Sequence, residues 1–545
     1  MTQDTPAFFA IDRGTVSTTA SLIAPVDGRY RMLASAGAPV ELDSESVLED
    51  LAWRGARTDA SVAGSMEGWR DWSRLEVRTG HPPRGVLVAA SAETGELLER
   101  AFHAAGWSIA GRHFGPSPDV LALGEDCLDP GLDAVIMGGR ETVEEAERDA
   151  AARLWPRVAS LARFRDDLAL IACGPFSERP EGISERRLFA LPAPELVAAT
   201  ADSTLRSAAQ QVGRHVVDRE VAAIDGRMAL RAAIVSLASV LGQQTDAIEI
   251  GAAGASRTIA GPLSQSGHAL LAEGASLPQR LLDDDALGEA VLRWCTLGGG
   301  DPAGRLDSLR ELVVRPWSAH GRESAHLRLA AVRAALERIE SAWGEAGATG
   351  SPAASAGAPN VGILVVSGGA FAGLPPAASA LAVVDAIRRP GAVSILHDHA
   401  GVLAPLGALP VEADRQRLLA DLLGDCLLSL GSAVITGDLA EPRKDHPPAT
   451  MSIASPLGDQ RLRLERGRLQ LVDLPPGLTA RVGIDPGDGV VLGVEGRTLT
   501  MDVDGGLGGL LVDSRPIPLD LPAAGEARRT ELRRWEEPVW AGSER

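Results

Sequence analysis

Asp12, Gly14, Thr15 and Thr18 stand together near the start of the chain, in Ala10-Ile-Asp-Arg-Gly-Thr-Val-Ser-Thr-Thr-Ala-Ser-Leu-Ile23. A second stretch of related design, Thr245-Asp-Ala-Ile-Glu-Ile-Gly-Ala-Ala-Gly-Ala-Ser-Arg-Thr-Ile259, offers Glu249, Gly251 and Gly254. Each reads as a strand ending in a carboxylate, a tight turn of Gly, Ser, Thr and Ala, and a returning strand. Two such turns facing across a cleft can hold phosphate oxygens through backbone N–H groups and hydroxyls. Asp12 could hold Mg²⁺ through its waters; it is equally suited to capping its own turn. Glu249 could orient a water for attack on a terminal phosphate. Its extra methylene, relative to aspartate, shifts the carboxylate by about a C–C bond, and a misplacement of that size costs about a hundredfold in rate.

Two glycine pairs extend the pattern. Gly138-Gly139 follows a strand and precedes an acidic helix start, where a turn can receive an anion or simply reverse the chain. Gly368-Gly369 lies between a buried strand and a helix start, where a ligand can approach the backbone closely. In a two-lobed nucleotide binder the base and ribose would lie there. His397-Asp398-His399 at a strand end suggests a metal, but the spacing supplies no further ligand and equally fits a solvated strand terminus.

Composition removes several chemistries. The 545 residues carry a formal charge of −20, which argues against nucleic acid or an anionic membrane as partner. Lys444 is the single lysine and sits in a polar, proline-rich stretch, so a Walker A loop is absent and a Schiff-base lysine is nearly excluded. Cys127, Cys173, Cys295 and Cys426 form no C-x-x-C pair, which points to idle buried thiols. No basic segment with a long apolar core opens the chain, and no apolar run reaches about 18 residues, so a cytoplasmic protein is expected.

The elements that must position these residues alternate between strand and helix. Strands are expected at 8–11, 18–23, 31–36, 85–91, 134–139 and 168–173, with helices at 45–57, 96–106 and 141–154. Residues 200–244 read as helix broken near 218–226, followed by the second hairpin and by helices at 284–296 and 323–342. A Gly/Ala/Ser/Pro stretch, 344–359, reads as a flexible loop. Beyond about 452, short strands separated by Gly and Pro indicate a small all-β domain, with a charged helix at 526–534.

In this order the pieces resemble the MutL-type accessory protein family of glutamate mutase, which is unrelated to the mismatch-repair protein of that name. The residues that carry the likeness are Asp12-x-Gly14-Thr15-x-x-Thr18, Asp133-Ala-Val-Ile-Met-Gly-Gly139 and the hairpin at Glu249. Val366-Ser-Gly-Gly-Ala-Phe-Ala-Gly-Leu-Pro-Pro376, Gly401-Val-Leu-Ala-Pro-Leu-Gly-Ala-Leu409, Leu474-Pro-Pro-Gly477, Arg481, Asp485-Pro486 and Arg533-Arg534-Trp535 continue it along almost the whole chain. The resemblance implies an α/β fold of the actin, sugar-kinase and heat-shock ATPase superfamily: a duplicated ribonuclease H-like ATPase core of two lobes. It also implies ATP or ADP with Mg²⁺ as ligand, and an adenosylcobalamin-dependent mutase as the partner to be reactivated. The chain departs from the family pattern where Thr19 replaces a lysine, Val16 a hydroxyl residue, Glu249 an aspartate, Ala252 a glycine, Gly254 and Ala255 two threonines, and Ser256 a second aspartate.

The expected domains are residues 1–240 and 241–450 as two actin-like lobes, and 451–545 as a C-terminal β domain with a tail. The expected function is an accessory, chaperone-like role with weak or lost ATPase activity. A small-molecule kinase on the same fold and a nucleotide-free scaffold are the alternatives. The oligomeric state is not encoded in any feature of the sequence.

Overall fold

Alternation within the N-terminal strand Phe8–Arg13 sends Phe8 and Ala10 to one apolar cluster and Phe9 and Ile11 to another, so the strand is covered on both faces. The computed structural model describes residues 7–14, 16–39, 42, 44–79, 83–105, 107–129, 132–140, 145–163, 165, 167–174, 184, 187–194, 201–217, 224–251, 254–263, 268–272, 285–298, 301–314, 321–347, 362–437, 439, 448–485, 490–491, 494–495 and 499–542. These residues form two units, one of residues 1–80 with 224–545, the other of residues 81–223.

The first unit holds the duplication. Phe8–Arg13, Ser17–Val26 and Arg29–Pro39 form an antiparallel meander, Ser73–Arg78 lies parallel beside the first of them, and Ile224–Asp225 parallel beside that. Thr245–Ile250, Ala255–Ala260 and His268–Ala272 repeat the meander, with Gly362–Ser367 and Gly391–Asp398 as the parallel fourth and fifth strands. Both sheets therefore run third–second–first–fourth–fifth, the ribonuclease H-like order. The chain has the duplicated, two-lobed actin-like core.

Two helices join the lobes. Gly226–Leu241 leads from the fifth strand of the first lobe into the first strand of the second, and the short helix Leu403–Gly407 follows the fifth strand of the second. They cross backbone on backbone: a Cβ on Gly407 would collide with the Ala229 carbonyl. One apolar cluster includes Phe8, Val77, Ile234, Val365 and Leu403, drawn from both sheets and both helices, so the lobes share a core.

The second lobe's sheet continues through Leu427–Ile435, Leu510–Asp513 and Leu469–Val472, the last two from the region expected to be a separate β domain. A four-stranded antiparallel sheet, built from Thr450–Ser455, Gly458–Arg463, Thr479–Asp485 and Leu499–Asp504, packs Met451, Ile453, Val482 and Ile484 into one core with Val434 and Val512 of the second lobe's sheet. Helix Gly525–Gly542 is nearly twice as long as the 526–534 expected, and it packs back on helices Pro376–Ala386 and Asp285–Trp294. Helix Arg322–Gly347 extends into the expected loop 344–359, the rest of which lies outside the described residues.

The unit of residues 81–223 is an all-parallel sheet in the order Ser108–Phe114, Arg84–Ala89, Ala134–Gly138, Ala169–Cys173, Leu188–Leu191. Helices cover both faces, giving one core around Leu123, Leu154 and Val158 and another around Leu98, Phe102 and Leu205. No helix among the described residues is long and apolar enough to cross a membrane.

Candidate functional site

The two hairpins are built alike. Gly14 N–H donates to Ser17 O at 2.9 Å, and Gly251 N–H donates to Gly254 O at 2.9 Å, so both turns close over four residues. Asp12 pairs across its hairpin with Thr19, and Glu249 with Ser256, seven residues on in each case. Even the neighbouring chain is matched. Thr79 N–H donates to Arg13 O at 3.0 Å just beyond the first lobe's fourth strand, and Ala370 N–H to Ile250 O at 3.1 Å beyond the second lobe's.

In the first hairpin Thr18 is buried, and Gly14 has no room for a side chain, since a Cβ would stand 2.9 Å from Ser17 O. Thr15 lies outside the described residues. The Asp12 carboxylate accepts a hydrogen bond from the Thr79 hydroxyl. Burial pushes its pKa up to about 6; the Thr79 bond opposes this and the negative charge of Asp398 adds to it. Asp398 is a second-lobe residue, so the two lobes bring a pair of carboxyls to one seam. It accepts from Val402 N–H at 2.9 Å, Leu403 N–H at 3.2 Å and the Ser367 hydroxyl at 3.2 Å. Burial raises its pKa despite these three donors. Beside it, Gly401 (φ +63°) leaves a gap that Thr19 fills, because a Cβ there would stand 2.8 Å from Thr19 Oγ1.

The second hairpin is tied to the first through Thr79. A Cβ on Gly226 would lie 2.5 Å from Thr79 Oγ1, and the next residue, Arg227, lays its guanidinium on the second turn, 2.5 Å from where Gly254 would carry a Cβ. Asp12, Thr79, Gly226, Arg227 and Gly254 thus form one continuous line between the turns. Glu249 is turned back onto its own hairpin. Ser256 Oγ donates to Glu249 Oε2 at 3.3 Å, and Glu249 Oε1 lies 2.8 Å from the Cβ position of Gly251. Gly368 (φ +95°) abuts the end of the second lobe's first strand, with its Cβ position against the Ile250 carbonyl, while Gly369 faces open space. Gly138 and Gly139 belong to the unit of residues 81–223. There Gly139 N–H donates to Cys173 O at 2.9 Å, and the buried Arg140 pairs with Glu93 at 2.8 Å.

The structure therefore brings Asp12, Gly14, Thr18, Glu249, Gly251, Gly254 and Gly368 into the first unit's two-lobed core. A Mg²⁺ ion fits this donor set only through water. Asp12 can anchor its shell, whereas both oxygens of Asp398 are already engaged. Among the described residues no three His, Cys, Asp or Glu side chains are grouped to hold a metal directly. His399 is exposed with Nδ1 3.0 Å from Cys426 O, Asp398 is buried, and burial lowers the His397 pKa to about 4, so the three do not converge on a metal and only His399 of them is solvated.

Sequence reasoning missed Thr79 and Arg227, marked Gly401 only as part of the family likeness, and read Asp398 only as part of a metal motif or a solvated strand end. Arg227 carried a usable signal, since Asp225-Gly226-Arg227 opens the helix that joins the lobes.

No protein-family model matches the chain, and no curated protein matches it. Several solved structures do. A carbohydrate kinase from Novosphingobium aromaticivorans aligns at 14% identity, TM-score 0.25, over 77% of this chain and 99% of its own. A nucleotide-free acetone carboxylase described under ATP-dependent acetone carboxylation aligns at 9% identity, TM-score 0.27, over 84% and 81%. A PilM–PilN type IV pilus biogenesis complex aligns at 12% identity, TM-score 0.23, over 70% and 87%. The assignment of the fold rests on the two strand orders themselves.

Proposed function

We propose that this protein binds a nucleoside polyphosphate, ATP or ADP with Mg²⁺, between the two hairpins, and that it serves as an accessory, reactivating partner of an adenosylcobalamin-dependent mutase. The observation that carries nucleotide binding is the paired closure of the two turns, Gly14 to Ser17 and Gly251 to Gly254, on one seam. Backbone N–H groups there would face phosphate oxygens, and Arg227 would supply a positive charge beside the second turn. Thr18 adds a donor on the first side, while the Thr79 hydroxyl is spent on Asp12. Hydrolysis is slow in this reading, because Glu249, buried and bonded to Ser256, is not free to orient water.

Nucleotide occupancy would favour a closed arrangement of the lobes about the Gly407–Ala229 crossing, and closure would alter affinity for the mutase. The choice of mutase as partner rests on the sequence resemblance. Calorimetry with Mg-ATP and Mg-ADP, beside a phosphate-release assay, tests the reading. Binding with little turnover, abolished in Asp12→Ala, is expected; absence of binding overturns it. Co-purification with a cobalamin-binding mutase subunit, sensitive to the nucleotide added, tests the partner.

A further inference from the structure

The second lobe carries a cavity of about 710 Å³, within the size range of small-molecule sites. Its walls are the segment following helix Asp285–Trp294, the start of helix Arg322–Gly347, and the last turns of helix Gly525–Gly542. A smaller depression shares Leu297, Gly298, Arg322 and His326 with it, so the two form one groove.

The floor is the near end of a buried ion network that runs on from Arg333 to Asp385, Arg515 and Asp513. Glu536 is buried on the C-terminal helix and paired with the buried Arg333. It accepts the Thr296 hydroxyl at 3.0 Å and Trp540 Nε1–H at 3.0 Å, and its Oε2 lies 3.1 Å from His326 Nδ1. Burial opposes its charge, but Arg333, with the bonds from His326 and Trp540, holds its pKa at about 2, so it is a permanent anion. A hydrophobic residue of similar volume would stabilise such a junction as well or better, so a buried ion cluster asks for another role. Here the cluster orients a histidine. With Nδ1–H directed at Glu536, and the ring tilted 44° against Trp540 at 4.2 Å between centroids, Nε2 is the nitrogen left for the cavity that His326 lines. Thr296 and Glu536 both approach Nδ1, so among the described residues they do not form a hydrolytic triad with His326. The mouth carries Arg322, Arg533 and Arg534 beside Glu537, with Arg305, Asp301 and Glu323 further along the groove. Arg322 and Arg533 are exposed on it, and Arg533 is fixed by Nε–H donating to Thr296 O at 2.8 Å, its guanidinium lying over Gly298.

We propose that this cavity is a binding site for a small molecule bearing closely spaced anionic oxygens, phosphate or carboxylate, held by Arg322, Arg533 and His326 Nε2. Forked guanidinium donors match such oxygens, and His326 Nε2 adds a third donor in its N–H form. The site is independent of the hairpins and of the nucleotide reading.

The test titrates the full chain with inorganic pyrophosphate and, separately, with glutarate, following tryptophan fluorescence and heat. At least one probe should bind, and the response identifies which oxyanion the site prefers. Its fluorescence change should vanish in Trp540→Phe. Affinity should fall at least about tenfold in the Arg322→Gln/Arg533→Gln double variant, and persist in Asp12→Ala, which disables the hairpin site. Both arginines are exposed, so an unchanged melting temperature will show the double variant folded; if it does not fold, Arg322→Gln alone carries the comparison. No binding of either probe up to about 10 mM, wild-type affinity in the arginine variants, or loss in Asp12→Ala each overturns the proposal.

Discussion

Asp12 shows what burial does to a carboxylate kept for a ligand. Without a cation its pKa stands near 6, above its usual value of 3.8, so the folded protein retains a proton that the unfolded chain loses. The sign follows from linkage. Where the folded state binds more protons, stability falls as pH rises, here between about 4 and 6. Melting curves across that window should show wild-type losing stability relative to Asp12→Asn, which cannot ionise; parallel curves would mean that Asp12 is solvated. Arg227 makes the complementary case. Its guanidinium rests on Gly254, so Arg227→Gln should weaken ADP binding about tenfold, the worth of one hydrogen bond to a charged group, with little change in melting. Calorimetry decides it, and undiminished affinity would place the cation away from the phosphates. Neither effect was legible in the sequence. Asp12 was marked by its turn, but the partner that perturbs it, Asp398, is nearly four hundred residues away, and only folding makes them neighbours.

Hairpins are legible because their cause is local. The register that pairs Asp12 with Thr19 also pairs Glu249 with Ser256, and both follow from a strand, a tight turn of small residues and a returning strand. The strand Ser73–Arg78 was not legible. Its sequence, Ser-Arg-Leu-Glu-Val-Arg, alternates in the edge-like manner of a half-exposed strand and carries no turn signal, yet it places Thr79 beside Asp12. Helix crossings are harder still, because they depend on what is absent. Gly407 lets helix Leu403–Gly407 sit directly on the Ala229 carbonyl of helix Gly226–Leu241. Neither backbone can yield without separating the lobes' shared core. Gly407→Ala should therefore cost about 1–3 kcal/mol, the usual penalty of overpacking, measurable as a lower denaturant midpoint at unchanged slope. A neutral result would show that the crossing relaxes freely. In the sequence Gly407 stood only within the stretch that carries the family likeness; its use as a contact surface needed the second helix.

At the scale of the molecule, the chain interrupts one domain to build another. Residues 81–223 separate the fourth strand of the first lobe, Ser73–Arg78, from the fifth, Ile224–Asp225. The sequence disclosed the parallel α/β character of this segment through its run of buried strands and amphipathic helices. It did not disclose the interruption, because strand–helix alternation looks the same within one sheet and across two. The interrupted ends are neighbours: Ile224 pairs with Val77, so adjacent strand spacing and two residues of rise place Thr79 and Ile224 about 8–10 Å apart. The inserted sheet has helices and a core on both of its faces, Leu123, Leu154 and Val158 on one and Leu98, Phe102 and Leu205 on the other. A sheet so covered, in about 140 residues, has the size and the burial of an independent domain. Residues 81–223 expressed alone should melt in one cooperative transition by circular dichroism. The remaining chain, with Thr79 joined to Ile224 by a short Gly/Ser linker, should keep the ADP affinity of the intact protein. A non-cooperative melt would show that the insert depends on the core for its stability. Loss of ADP binding in the spliced chain, with its melt intact, would show that the insert contributes to the nucleotide site, and the hairpin seam would then be only part of it.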